Sequence, residues 1–205
     1  MSIAPRFAHS HVLSPVSSSS NSIKSAVQLF LDYNCPFSKK LFNKINTEVI
    51  PLLEKKHIAD KFDFVFFNVI QPWHYVGSGA YHEVALAVAK LYPDQFWKFS
   101  EILFDNRIDD SVTFNKTQKE VVGLAIDLAV KSLEGVDSKK LWELLTPAPD
   151  KGNGLQKDNK YFTRYQRTVG VHTTPTVLVD GITFGNIESS TPAEEIVKIL
   201  EELLD

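Results

Sequence analysis

The alternation of apolar and polar positions divides the chain into two strand-bearing ends and a middle whose only periodicity is helical. Ala26 to Tyr33 (AVQLFLDY) is a short apolar run rich in strand formers and reads as a buried strand. It passes straight into Asn34-Cys35-Pro36, where Pro36 suits the first helical position because its missing N–H is no loss there. Leu41, Ile45, Val49 and Leu52 recur at spacings of four and three, so one face of a helix is aimed at a core. Pro51 falls inside that pattern and predicts a kink or an end. Phe62 to Ile70 (FDFVFFNVI) supplies the second strand. Strand, helix and strand in this order form a βαβ unit, which predicts parallel strands and a right-handed crossover.

From Gln71 to about Gly170 the strand signal is lost. Tyr81 to Leu91 has helical spacing and stops before Pro93, and Asp94 is placed to cap a helix carrying Phe96, Trp97, Phe99, Leu103 and Phe104. Thr117 with Glu120 spells a capping box ahead of Val121, Leu124, Ala125 and Leu128. Ser138 to Leu145 reads as an amphipathic helix closed by Pro147 and Pro149, and the Gly152-Asn153-Gly154 loop leads into a last helix with Leu155, Tyr161, Phe162 and Tyr165. The aromatics of this block are expected to form its own core.

Strand signal returns at Thr176 to Val179 (TVLV). The Asp180-Gly181 pair between this run and Ile182 to Ile187 is the strongest short-range hairpin cue. Thr191, Pro192 and Glu194 predict a capped helix whose buried face is Ile196, Ile199, Leu200 and Leu203. Phe7 to Leu13 is read as an added edge strand. The order is therefore βαβ, a helical block, then ββα.

The totals narrow the function. A chain of 205 residues supports one domain with a sizeable core. Its net charge of −3 gives no electrostatic reason for a nucleic-acid partner. No apolar run reaches the ~18–20 residues of a membrane span, so no membrane partner is expected. The start carries Arg6 and the serines Ser17 to Ser20 but no long apolar stretch of a secretory signal. A cytoplasmic location is expected, with a mitochondrial presequence as the alternative. No feature sets the oligomeric state.

There is one cysteine, Cys35. No intramolecular disulfide and no cysteine metal cluster can form, so oxidation must join this sulfur to another molecule or carry it up the sulfenic ladder. His82 and His172 have no partners at metal spacing, and no metal is assigned. A lone cysteine ordinarily packs as a small apolar residue. Here it stands where a strand gives way to a helix, and the unpaired N–H groups and positive dipole end of a helix favour a thiolate.

Cys35-Pro36-Phe37-Ser38 after the first strand and Thr174-Pro175 before the third resemble the thioredoxin-like superfamily. The helical insertion resembles its DsbA-like branch, which also includes the kappa-class glutathione transferases. The resemblance implies an α/β thioredoxin-like fold with a core of 24–71 and 171–205, and an all-helical insertion at 72–170, the whole of 1–205 forming one domain. It further implies that Cys35 is the attacking thiol and that Pro175 is cis, which would leave the backbone of Thr174 free to pair with an extended peptide or glutathione. The family's usual second cysteine is replaced by Ser38, whose hydroxyl could donate to the Cys35 thiolate.

Both parallel strands deliver their C-terminal ends to one sheet edge, as does the start of the third strand, so Cys35, the Gln71-Pro72-Trp73-His74 segment and Thr174-Pro175 are expected to converge there. Cys35 and Ser38 are the candidate catalytic residues. Pro36, Phe37, Trp73, His74, Thr174 and Pro175 are the candidate substrate-binding residues, with His74 the candidate partner of a thiolate. The leading expectation is a monothiol oxidoreductase acting on mixed disulfides. Its partner would be a thiol-containing protein or glutathione, with glutathione as a candidate co-substrate and no tightly bound cofactor. The alternatives are a kappa-class-like transferase or isomerase that activates glutathione's own sulfur, and a non-enzymatic binding module.

Overall fold

The computed structural model describes residues 3–15 and 23–204; the serines Ser17 to Ser20, on which the presequence alternative partly rests, lie outside them. The chain opens with α1 (Pro5–His11) and β1 (Val12–Leu13), followed by β2 (Ser25–Leu31), α2 (Pro36–Lys44), α3 (Ile50–Lys55) and β3 (Phe62–Asn68). Six helices come next: α4 (Tyr75–Leu91), α5 (Phe96–Asp105), α6 (Asp110–Thr113), α7 (Gln118–Ser132), α8 (Ser138–Leu145) and α9 (Gln156–Thr168). The chain ends with β4 (Thr176–Val179), β5 (Ile182–Thr183) and α10 (Ala193–Glu201).

The strands form one mixed sheet in the order β1-β3-β2-β4-β5. β2 and β3 run parallel in a register that pairs Leu31 with Asn68, and β4 lies antiparallel to β2 with Thr176 opposite Phe30. Those pairings bring the ends of β2 and β3 and the start of β4 to the same edge. This is the thioredoxin-like α/β fold with a helical insertion between β3 and β4.

The two-residue period of the strands sorts the aromatics into layers. Phe30 and Phe67 stack on one face, centroids 4.7 Å apart, and Tyr165 of α9 covers Phe67 at 4.6 Å. Phe66 points to the other face, against Phe42 of α2 and Phe96 of α5. All of these phenylalanines are fully buried, and each such side chain contributes roughly 1.5–3 kcal/mol. Thr117 and Glu120 form the expected capping box on α7. Asp180 and Gly181 both take positive φ, as a tight hairpin turn requires.

Several sequence expectations give way. Only Val12 and Leu13 of the Phe7 to Leu13 run are strand; Pro5–His11 is helix, because Phe7 packs between Tyr161 and Phe162 rather than along the sheet edge. Pro51 does not end its helix. A π-helical segment, Ile45–Val49, precedes it, and the Ile50 N–H bonds to the Ile45 carbonyl. Such a widened turn accommodates a proline ring that would otherwise meet the carbonyl four residues back. Asp94 does not cap α5: its carboxylate meets His9 Nε2 at 2.6 Å, and a 3₁₀ turn, Pro93–Gln95, starts the helix. At α10 the N-cap is Pro192, while Thr191 Oγ1 accepts from Glu188 N–H and donates to the Asn186 carbonyl. β5 ends at Thr183, short of the expected Ile187.

Candidate active site

Cys35 is the N-cap of α2 and Pro36 its first residue, with no side chain capping the first turn. The thiol therefore sits against a helix start whose N–H groups have no side-chain acceptor. Its N–H donates to the Asp32 carbonyl at 3.0 Å, and its Sγ–H donates to the Thr174 carbonyl at 3.3 Å. The Thr174-Pro175 bond is cis. Cys35 is only 4% exposed, so its surroundings must open before another sulfur can approach.

The ground beneath the thiol is a carboxylate that sequence reasoning passed over. Asp32 follows β2 and is completely buried. It accepts from Asn34 N–H at 2.9 Å, from Gln71 N–H at 2.7 Å and from the Ser78 hydroxyl, which stands 2.8 Å from both oxygens. His74 Nδ1 lies 3.0 Å from Asp32 Oδ2, and His82 Nε2 lies 3.8 Å from Oδ1. Burial alone would push the Asp32 carboxyl up. His82, the Gln71 N–H and His74 together outweigh it and hold the carboxyl down at about 2. One charged side chain thus fastens the Cys35 loop, the segment after β3 and the first turns of α4 to each other.

Behind this carboxylate runs a buried polar chain. Asn68 Nδ2 meets His82 Nδ1 at 2.8 Å, and Asn68 Oδ1 meets His11 Nε2 at 2.9 Å. With the amide in this orientation His82 accepts at Nδ1, which leaves its Nε2–H facing Asp32. His11 lies fully buried between Phe96 and Phe162, and burial lowers its pKa to about 3, so it is neutral. On the opposite side of the Cys35 loop, Arg107 Nη1 donates to the Asn34 carbonyl at 3.1 Å.

The anticipated site residues are distributed as follows. Cys35, Thr174 and Pro175 meet. Ser38 is buried, and its hydroxyl oxygen accepts from Asp32 N–H at 3.3 Å; among the described residues no hydrogen bond joins it to the Cys35 sulfur. The turn before α2 leaves the Asp32 N–H in need of an acceptor, which the Ser38 oxygen supplies. His74 faces the Asp32 carboxylate, not the sulfur. Pro36, Phe37 and Trp73 are exposed. With Tyr75 and Val76 they give the segments that flank the thiol an apolar surface in water.

Asp32, Ser78 and His82 were not anticipated as members of the site. The available signal was a lone carboxylate at the end of an otherwise apolar strand, three residues before the cysteine. Among the described residues no group of histidines, cysteines and carboxylates could hold a metal ion.

A thiol at a helix start, facing the carbonyl before a cis proline on a sheet edge, defines the class of thioredoxin-fold thiol–disulfide oxidoreductases with a helical insertion. No protein-family model matches the sequence. Disulfide bond formation protein D of Bacillus subtilis (strain 168) is 30% identical over 171 residues, which cover 82% of this chain and 69% of that protein. The chain belongs to this DsbA-like family of disulfide oxidoreductases. Its fold is similar to that of oxidised BdbD from Bacillus subtilis, with a TM-score of 0.65, 26% identity, and coverage of 96% of this chain and 93% of the other. The thiol-disulfide exchange protein alpha-DsbA2 from Wolbachia pipientis shares the fold at a TM-score of 0.62 and 18% identity, covering 91% of this chain and 85% of that one.

This kinship overturns the cytoplasmic location expected from composition. Disulfide bonds are formed and kept outside the reducing cytosol, and the relative carries disulfide bond formation in its name. Among the described residues no helix is long and apolar enough to cross a membrane.

Proposed function

We propose that the protein exchanges disulfides through Cys35 alone, using thiols of other molecules where the usual family member would use its own second cysteine. The Cys35 thiolate attacks one sulfur of a mixed disulfide; the new S–S bond joins Cys35 to that sulfur, and the other leaves as a thiolate that takes up a proton. A second, external thiolate then attacks the adduct and returns Cys35 to its reduced form. Two electrons pass between the partners and none remains on the enzyme. The external thiol is a protein cysteine or glutathione. No other cofactor enters the scheme.

The observation that carries this reading is the Cys35 Sγ–Thr174 carbonyl hydrogen bond in a chain with one cysteine. Exchange rate follows thiolate fraction and the acidity of the leaving thiol. Thr174 presents its backbone for pairing with an extended substrate, and Phe37 and Trp73 offer apolar contact on either side. Asp32 positions the loop that bears the thiol. The full burial of Ser38 argues against it as the hydroxyl that would activate glutathione's sulfur in a transferase.

The test is turnover of a glutathionylated peptide with excess free thiol. The wild-type chain is expected to turn over and Cys35→Ser to be inactive, with the adduct on Cys35 trapped and seen as a mass increase when the free thiol is omitted. Undiminished turnover by Cys35→Ser would remove the proposal.

A further inference from the structure

The helical insertion contains a cavity of about 490 Å³ that shares no lining residue with the Cys35 site. Glu83 of α4, Lys119 and Val122 of α7, Trp142 and Leu145 of α8, and Pro147 are among its walls. Its size and its apolar walls with a few convergent polar groups are those of a small-molecule site. Glu83 adjoins His82 in sequence, but the two side chains serve different places: His82 faces Asp32, while Glu83 lines the cavity.

The Glu83 carboxylate is half-buried and unevenly used. Asn153 Nδ2 donates to Oε1 at 3.0 Å and Asn159 Nδ2 donates to the same oxygen at 3.3 Å. The second oxygen has no hydrogen bond or ion pair among the described residues. Burial raises the carboxyl's pKa, and the Asn153 bond only partly offsets it. A half-buried carboxylate with one oxygen free gains from a cationic donor. The indole of Trp142, which also lines the cavity, is the aromatic surface that best accepts a cation or an apolar ring. Lys119, an exposed lining residue, opposes a second positive charge, so polyamines fit poorly.

The geometry points to a binding site for a small primary amine with an apolar body, its ammonium on Glu83 and its body against Trp142, Val122 and Leu145. The site is independent of thiol chemistry and is read from the cavity alone.

Phenethylamine is the probe, titrated into the full-length chain by calorimetry and by tryptophan fluorescence. Saturable binding of one equivalent is expected, with 3-phenylpropionate, which has the same ring but the opposite charge, failing to bind. Glu83→Gln keeps an oxygen for Asn153 and Asn159, so the fold should hold while affinity falls about tenfold or more, the measure of a lost charged hydrogen bond. Trp142→Phe should abolish the fluorescence response while calorimetric binding persists in weaker form. The inference is overturned by no saturation up to about 1 mM, by unchanged affinity in Glu83→Gln, by equal binding of 3-phenylpropionate, or by a fluorescence response that survives in Trp142→Phe.

Discussion

The Asp32 carboxylate and the backbone of Gln71 are joined by a 2.7 Å hydrogen bond that ties the loop after β2 to the segment after β3. With Asn34 N–H and the Ser78 hydroxyl on the same carboxylate, Asp32 is the common anchor of the Cys35 loop, the segment after β3 and the start of α4. Asp32→Ala would strand buried donors and a histidine, and a loss of about 3–5 kcal/mol in unfolding free energy is expected. Asp32→Asn keeps one acceptor and should cost less, about 1–3 kcal/mol. Denaturant titration of both variants checks this. Equal stability of Asp32→Ala and wild type would show that the carboxylate anchors nothing.

The same carboxylate and His11 shape the acid limb of stability at different pH. His11 is held at about 3 by burial, against ~6.5 when unfolded. Its neutral form is the native one, so stability is complete above ~6.5 and falls as pH drops toward 3, by about 1.4 kcal/mol per unit. Asp32 is held at about 2, against ~3.9 when unfolded; its contribution is complete above that value and is lost between ~4 and 2. The expected profile declines first from about pH 6.5 and more steeply below about pH 4. His11→Phe, which can occupy the space between Phe96 and Phe162, should flatten the upper part only. Unfolding midpoints measured across pH for both chains decide it.

The legible part of this protein was the part encoded by local pattern. Strands β2 and β3, the Asp180-Gly181 turn and the Thr117–Glu120 cap are written in residues that act within a few positions of each other. So was the placement of Cys35 beside Pro36. What escaped reading depends on contacts far apart in sequence. Asp32 reads as the polar end of a strand until Gln71, Ser78, His74 and His82 are brought to it by the parallel register of β2 and β3. Ser38 was read toward the thiol one turn away, and local pattern does not reveal that its oxygen accepts from the Asp32 N–H. Asp94 has the right spacing for a cap and is taken instead by His9 of α1, an element that local pattern had assigned to a strand.

Phe37 and Trp73 are exposed at 61% and 60%, which leaves them little part in stability. Phe37→Ser and Trp73→Ser should shift unfolding free energy by no more than about 0.5 kcal/mol each, as surface changes do. If the two rings form the apolar ground on which a peptide lies beside Thr174, exchange with a glutathionylated apolar peptide should slow about tenfold in the double variant, the loss expected for aromatic contacts at the centre of a recognition surface. Exchange with a small disulfide that lacks a peptide should stay unchanged. A parallel loss on both substrates would assign the effect to the thiol and not to recognition.

Restoring the family's second cysteine offers the most direct reading of what its absence does. Ser38 is buried one turn from Cys35, and Ser38→Cys creates the Cys-x-x-Cys spacing in which such thiols pair. The exchanged side chain is a poorer acceptor for the Asp32 N–H, so a stability cost of about 1 kcal/mol is expected. Under mild oxidant this variant should lose both free thiols in one step, whereas the wild-type chain should keep one or form a mixed adduct. The adduct trapped on Cys35 should also resolve without added thiol, since the new cysteine can attack it from within. Thiol titration and mass measurement report both outcomes. Two free thiols persisting in oxidised Ser38→Cys would mean that the start of α2 does not hold the pair at bonding distance.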